Sequence, residues 1–376
     1  MTRDSAESPA AVATATANPT SRFVSLRVKS VQPLTHDSVV VELEGVGERR
    51  MGYLAGQHLT LRRFVEGTEL RRTYSICASA RRGDLRIGVK RLEGGAFSGW
   101  LNDEVAPGDL MEVMAPAGRF TPRLDATAQR RYVAIAAGSG ITPILSILTT
   151  ILELEPASTA VLWYGNKTTQ DIMFLEELCD LKDQYPDRFE VLFFVSREEQ
   201  EVELLSGRID GDRVRRLLAG LQPAGEVDEW YLCGPFTMVG EVRAVLGEAG
   251  VDASRIHAEL FHVDGEMPRA ARAARSALHE DWQGRVSEVT IILNGRATTV
   301  TVPFDGDPVL DSLIAVRTDA PYSCTSGVCG TCRARVVEGA VDMDVAYALE
   351  PDESERGYVL MCQSHPTTDV VRLEID

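Results

Sequence analysis

Tyr132-Val-Ala-Ile-Ala-Ala-Gly-Ser-Gly-Ile-Thr-Pro143 decides the architecture of the middle of this chain. Six residues without a charge or polar alternation read as a strand buried on both faces, and the glycines that follow break it into a turn. Further apolar runs come at 160–164, 191–195, 230–233 and 256–261, with helical spacing between them at about 143–155, 171–185, 212–221 and 236–249. Buried strands alternating with helices predict a parallel sheet with right-handed crossovers. Gly138 and Gly140 then allow a pyrophosphate to approach the N-terminus of the first helix, with Pro143 suited to the first helical position.

The pattern differs on either side. Over residues 23–123, short runs alternate in period two, as in Val39/Val41/Leu43 and Leu85/Ile87/Val89, punctuated by Gly45, Gly56, Gly83 and Pro107-Gly108-Asp109. Evenly spaced short strands of this kind predict an antiparallel barrel or sandwich. After Val263 the chain turns Pro-, Ala- and Arg-rich up to about Gly284, the composition of a linker or solvent-facing helix. Beyond it, apolar runs at 289–293 and 297–302 flank Asn294-Gly295, a hairpin signal because a type I′ turn takes positive φ at both central residues. A short helix at about 309–317 and a closing strand at 369–375 complete a small mixed domain. The opening residues are Ala, Thr, Ser and Pro with few large apolar side chains, too little to offset their ordering entropy. The expected division is a disordered tail at 1–20, a barrel at 21–125, an α/β domain at 128–262, a linker at 263–284 and a third domain at 285–376.

Composition narrows the function classes. The 376 residues are 44% hydrophobic and 25% charged, as in folded proteins of two or three domains. With 56 acidic against 39 basic residues, the net charge of −17 repels phosphate backbones and anionic membranes, which argues against both as partners. Neither a long uncharged apolar run nor a signal-peptide pattern occurs, so a cytoplasmic location is expected. Seven cysteines, four of them in the last quarter, then indicate metal or redox chemistry rather than disulfides.

Those four are Cys324-Thr-Ser-Gly-Val-Cys329-Gly-Thr-Cys332 and Cys362, the C-x4-C-x2-C…C spacing that ligates a plant-type [2Fe-2S] cluster. Gly327 and Gly330 let the backbone wrap closely, so that amide N–H groups can face sulfur. The competing reading is a four-Cys zinc site, which normally uses two C-x2-C knuckles where this chain offers one.

Such a cluster moves one electron at a time, whereas a nicotinamide gives two as hydride, so a converter is required, and a flavin is one. Arg72-Thr73-Tyr74-Ser75 at a strand end supplies a cation for phosphate, an aromatic ring and a hydroxyl. Val89-Lys90-Arg91 adds cations, and Gly95-Ala-Phe-Ser98 opens a helix whose N–H groups suit a pyrophosphate. The usual ribose-binding acid after the second parallel strand is replaced by Asn166-Lys167, while Ser196-Arg197 after the third offers a hydroxyl and guanidinium to a 2′-phosphate. This favours NADPH, with NADH possible. Cys233-Gly234-Pro235 ends the fourth strand, at the edge where ligands of open parallel sheets bind. Cys77 and Cys179 read as ordinary buried thiols. Glu259 and His262 form a lone E-x-x-H pair in a strand-like run; a di-iron site needs two such pairs on facing helices, so oxygen chemistry belongs to a partner.

Taken together, Arg72-x-Tyr74-Ser75, Gly138-x-Gly140-Ile-Thr142-Pro143 and Cys233-Gly234-Pro235 resemble the flavin, pyridine-nucleotide and nicotinamide-side motifs of the ferredoxin–NADP reductase superfamily, and the C-terminal cysteines resemble plant-type ferredoxin. The order flavin, nicotinamide, ferredoxin, with stretches such as Met173-Phe-Leu-Glu-Glu-Leu178 and His257-Ala-Glu-Leu-Phe-His-Val-Asp264, is similar to the reductase subunits of phenylacetyl-CoA epoxidase complexes. The resemblance implies an FAD-binding antiparallel β-barrel, an α/β NAD(P)H domain and a β-grasp ferredoxin domain. It further implies an oxidoreductase that passes electrons from NADPH through FAD and [2Fe-2S] to an oxygenase component, a di-iron epoxidase, the alternatives being another multicomponent oxygenase, ring-hydroxylating or monooxygenase, as acceptor and FMN in place of FAD. By the same carry-over, Arg72, Tyr74 and Ser75 bind flavin, Ser98 meets the pyrophosphate, Thr142 and Cys233 face the nicotinamide, Ser196 and Arg197 hold the 2′-phosphate, and Glu259 and Phe261 lie near the isoalloxazine.

Overall fold

The computed structural model describes residues 23–46, 51–262, 282 and 284–375, so the expected tail and nearly all of the expected linker lie outside the described residues. The first unit holds six antiparallel strands: β1 (Phe23–Thr35), β2 (Ser38–Gly45), β3 (His58–Val65), β4 (Thr68–Ser75), β5 (Leu85–Lys90) and β6 (Leu110–Met114), with α1 (Ala96–Asp103) between the last two. Their order, β4-β3-β6-β1-β2-β5, leaves β4 and β5 at the edges, and a bridge between Ile76 and Ile87 joins those edges. Closure removes the open edge, which makes the unit a barrel rather than a sandwich. Period-two alternation places Val41, Leu43, Leu59, Leu61, Ile87 and Val89 inside. Val40, on the opposite face of β2, packs instead into the core of the next unit together with Cys77 and Phe120.

That second unit is a parallel sheet of β7 (Arg131–Ala137), β8 (Thr159–Asn166), β9 (Phe189–Val195), β10 (Glu229–Pro235) and β11 (Ile256–His262) in the order β11-β10-β7-β8-β9. The crossovers carry α2 (Ile141–Leu154), α3 (Leu175–Gln184), α4 (Gly211–Gly220) and α5 (Phe236–Glu248). Strand order reverses between β7 and β10, which opens a crevice at their carboxyl ends. Pro143 is the third helical residue of α2, not the first. It is tolerated there because the first-turn N–H groups have no intrahelical acceptor.

The third unit comprises β12 (Val286–Leu293), β13 (Arg296–Pro303), α6 (Val309–Ile314), β14 (Arg333–Glu338), β15 (Val341–Met343), α7 (Pro351–Glu355), β16 (Tyr358–Leu360), β17 (Ser364–Pro366) and β18 (Val370–Ile375). Its main sheet, β13-β12-β18-β14-β16, is mixed: β12 and β18 run parallel and the other pairs antiparallel. Asn294 and Gly295 take φ of 53° and 73°, as the hairpin requires. Val309, Leu310 and Leu313 of α6 cover the sheet's buried face.

Candidate functional site

Around the four C-terminal cysteines the backbone folds back on itself, with positive φ at Thr325, Gly327 and Gly330. A Cβ on Gly327 would stand 2.9 Å from Val345 and 3.1 Å from Gln363, so the loop closes only around hydrogen there. The sulfurs stand as two pairs, Cys324 with Cys329 and Cys332 with Cys362. Contact with Cys329 and backbone N–H groups of Ser326, Val328 and Cys329 hold the Cys324 thiol well below its usual range. The partner thiols are pushed the other way: Cys329 by Cys324 and burial, Cys332 by Cys362 and burial. The Ser326 N–H donates to Cys324 Sγ at 3.4 Å and Gln363 Nε2 to Cys362 Sγ at 3.5 Å. A tetrahedral zinc site would bring every sulfur to about 3.8 Å from the others, from a Zn–S length of about 2.3 Å. Among the described residues no three cysteine sulfurs lie within 4.8 Å of one another. Two separated pairs fit a two-iron cluster, with one pair for each iron.

At the junction of the barrel and the parallel sheet, β4 ends on Ser75, whose Oγ donates to Glu259 Oε2 at 3.4 Å. Glu259 lies on β11 opposite Cys233 of β10. Burial and the Glu259 charge together raise the Cys233 thiol well above its usual range, so it acts as a small neutral wall rather than a nucleophile. A Cβ on Gly140 would fall 2.3 Å from the Cys233 carbonyl oxygen, which fixes glycine where α2 begins. Buried Thr142 packs against the barrel at Gly88, where a Cβ would stand 2.7 Å from its methyl. Tyr74 is 6.1 Å from Phe97, centroid to centroid. Arg72 is exposed, and among the described residues its side chain donates only to its neighbour's carbonyl, which leaves its charge available to a phosphate. Ser98 differs from expectation: its buried hydroxyl accepts from Leu92 N–H at 3.0 Å and donates to the Gly95 carbonyl at 3.3 Å. It closes the turn before α1 rather than projecting from it. Buried His58, which the motifs do not mark, stands opposite Ser75 in the β3–β4 register.

The crevice at the carboxyl ends of β7 and β10 is a cavity of about 480 Å³. Gly138, Ser139, Gly234 and Pro235 line it, together with Lys90, Phe261, Lys167, Ser196, Arg197 and Arg208. Lys90 is bound to Asp37 at 3.0 Å. By contrast, Lys167, Arg197 and Arg208 form no ion pair among the described residues. Three unneutralised cations around a glycine-lined cavity suit a ligand with several phosphates. Arg208 follows β9 by a long loop and carries no motif. Asp171, Asp210 and Glu241 also line it. Of the remaining cysteines, Cys77 is buried, its thiol pushed up to about 12 by burial, whereas Cys179 is exposed on α3, contrary to its expected burial.

The cluster loop packs against this junction. A second cavity of about 560 Å³ is lined by His58 and Glu259 and by Cys329, Gly330 and Thr331 of the cluster loop. Contacts across its rim fix the arrangement: Arg119 of the barrel bonds Glu353, and Arg243 of α5 bonds Glu350 at 3.2 Å. Nearby, the buried Arg71 guanidinium donates to the carbonyls of Ala320 (2.9 Å) and Thr318 (3.3 Å) and lies 3.9 Å over the Tyr322 ring.

The sequence matches three protein-family models: the oxidoreductase FAD-binding domain over residues 25–121, the oxidoreductase NAD-binding domain over 134–244 and the 2Fe-2S iron-sulfur cluster binding domain over 291–367. It is 40% identical over 356 residues to a subunit of the 1,2-phenylacetyl-CoA epoxidase of Escherichia coli K12, covering 94% of this chain and 98% of that one. The chain belongs to this reductase family. It is also 34% identical over 358 residues to the ferredoxin reductase component of 3-ketosteroid-9-alpha-monooxygenase from Rhodococcus rhodochrous, covering 94% and 97% of the two chains. The crystal structure of phthalate dioxygenase reductase has the same fold, with a TM-score of 0.57 at 24% identity over 94% of this chain and 98% of that one. The reductase is thus an NAD(P)H oxidoreductase built for electron transfer, with its FAD-binding, NAD-binding and 2Fe-2S domains in that order. No described helix of the reductase is long and apolar enough to cross a membrane.

Proposed function

We propose that this reductase takes hydride from NADPH and delivers single electrons, by way of FAD and a [2Fe-2S] cluster on Cys324, Cys329, Cys332 and Cys362, to the di-iron oxygenase component of a phenylacetyl-CoA epoxidase in the cytoplasm. The observation that carries the reading is the cavity lined both by Glu259, at the junction of barrel and parallel sheet, and by the loop of Cys329. A bound flavin supplies the change from two-electron to one-electron transfer. Arg72 and the N-terminus of α1 hold its phosphates, Tyr74 packs against its ring, and Ser75 and Glu259 meet its polar edge. On the other side Gly138, Gly140, Thr142 and the Cys233-Gly234-Pro235 turn bring the nicotinamide to the same place, with Phe261 at the rim.

The preference for NADPH rests on Ser196, Lys167, Arg197 and Arg208: a 2′-phosphate supplies the anion that these three cations lack among the described residues. Identity of 40% over nearly the full length of the epoxidase's subunit supports the choice of partner. The domain limits 21–125, 128–262 and 285–376 follow from the same reading. Mixing the purified reductase with the oxygenase component of a phenylacetyl-CoA epoxidase, NADPH and phenylacetyl-CoA tests it directly. Epoxide formation is expected, whereas electron delivery to a steroid or ring-hydroxylating oxygenase and none to the epoxidase would reassign the partner.

A further inference from the structure

Arg71 belongs to neither cofactor site, yet its side chain is only 3% exposed. Its Nε donates to Glu69 within β4, while Nη1 and Nη2 cross to the iron–sulfur unit and donate to the carbonyls of Ala320 and Thr318, with the Tyr322 ring beneath. The segment it grips is rigid on its own side. Arg317 donates to Thr298 Oγ1 at 2.9 Å and forks onto Asp319 at 2.7 Å, and Ala320 belongs to the buried core of that unit. Tyr322 stands two residues before Cys324. On the barrel side, β4 is paired with β3 along its whole length, from Thr68 to Ser75. Residues 71, 73 and 75 share one face of that strand, so Ser75, which bonds Glu259 at the proposed flavin edge, lies about 13 Å further along the same face. One strand thus carries a flavin contact near one end and a hold on the cluster's own segment near the other. The ion pairs of Arg119 and Arg243 lie at the rim, their side chains 58% and 40% exposed, where such pairs are worth little. Leaving a buried guanidinium without its acceptors is costly, so Arg71 selects one register of the two units where the rim pairs tolerate several.

We infer that Arg71 is a positioning residue for internal electron transfer, setting the separation between a flavin held at the end of β4 and a cluster held by the loop that follows Tyr322. This rests on the electron path proposed above. Arg71 itself gains and loses neither electron nor proton; it acts only through where it holds residues 318–322. Transfer between two centres falls steeply with their separation, and a misplacement of about 1 Å by a remote side chain can slow a geometry-dependent step by up to about a hundredfold. The planar fork of arginine meets Glu69, both carbonyls and the ring at once. A lysine keeps the charge and loses that geometry, which separates positioning from simple charge attraction between the units.

The test compares the wild-type holoenzyme with Arg71→Lys, Arg71→Met and Tyr322→Leu. Anaerobic rapid mixing with NADPH reads flavin bleaching and cluster reduction in one trace. Electron paramagnetic resonance of frozen, partly reduced samples reads the magnetic interaction between flavin and cluster, a measure of their separation that needs no turnover. In the Arg71 variants flavin bleaching should stay within about twofold of wild type while cluster reduction slows about tenfold and the magnetic interaction weakens. Flavin content, iron content and both midpoint potentials should not move. Tyr322→Leu keeps the guanidinium and removes the ring beneath it, and should shift both readouts in the same direction, which keeps the inference testable if Arg71→Met does not fold. Unchanged cluster reduction and magnetic interaction in all three variants would overturn the inference. So would a slowing that only tracks lost flavin or iron, since Arg71 would then be a folding residue. A wild type whose flavin bleaches without any cluster reduction would instead remove the underlying electron path, so the two failures are distinguishable.

Discussion

Arg197 and Arg208 line one cavity, the first legible in the sequence and the second not. Arg197 sits beside Ser196 just past the end of a parallel strand, a position with a known meaning in such sheets; Arg208 reaches the same cavity only because the loop after β9 folds back. Charge-assisted bonds to phosphate are worth roughly 1.5–3 kcal/mol. Arg197→Ala and Arg208→Ala are each expected to raise the KM for NADPH about tenfold or more while moving the KM for NADH less than about threefold. Steady-state kinetics with both nucleotides checks this, and equal effects on the two would remove the 2′-phosphate assignment. Gly140 was legible as a close approach to a ligand, but the structure adds a second reason for it, the Cys233 carbonyl at 2.3 Å from a virtual Cβ. Gly140→Ala is expected to destabilise the reductase by about 2 kcal/mol and to weaken nucleotide binding, as read by thermal melting and titration. His58 was hidden because a histidine inside an alternating strand looks like any other inward residue.

Helices and strands were read from periodicity to within a few residues, and the departures have local causes. The expected helix at about 171–185 begins at Leu175, because Thr168 and Asp171 close a capping box around a separate short turn and Phe174 takes φ of 60°. One-dimensional spacing does not register such a turn. Cys179 was misassigned because α3 is amphipathic and places this position outside. More important for the site is the end of α2. Glu155 is fully buried there, its carboxylate accepting from Tyr132 OH (2.9 Å), Ser158 Oγ (2.7 Å) and the backbone N–H of Asp125 (2.9 Å). It thereby ties the segment that leaves the barrel to the first parallel strand. Glu155→Ala leaves the buried Tyr132 hydroxyl without its acceptor and removes the tie to Ser158 and Asp125, a loss of about 3 kcal/mol. Calorimetry should show the flavin and nucleotide units melting several degrees lower while the iron–sulfur unit is little changed; an unaltered melt would mean that the network is not structural.

How the three units meet was not legible at all, since Arg71 and Ala320, or Arg243 and Glu350, are distant in sequence and share no pattern. Their contacts hold the cluster loop over the junction of barrel and sheet. Surface ion pairs are individually worth about 1 kcal/mol or less, so the hold is adjustable. Arg119→Glu together with Arg243→Glu is expected to slow internal electron transfer about fivefold in rapid-mixing experiments, with hydride transfer little affected. High salt should slow the same step in the wild type. Residues 286–376 carry 15 acidic and 6 basic side chains, a surface suited to a basic oxygenase partner, so transfer between proteins should also slow with salt.

The path from nucleotide to cluster is tested most directly by an anaerobic visible spectrum of the purified reductase before and after one equivalent of NADPH. Bleaching of both the flavin and the iron–sulfur bands is the predicted result. Flavin bleaching with no iron–sulfur signal, and zinc in place of iron on the four cysteines, would contradict it.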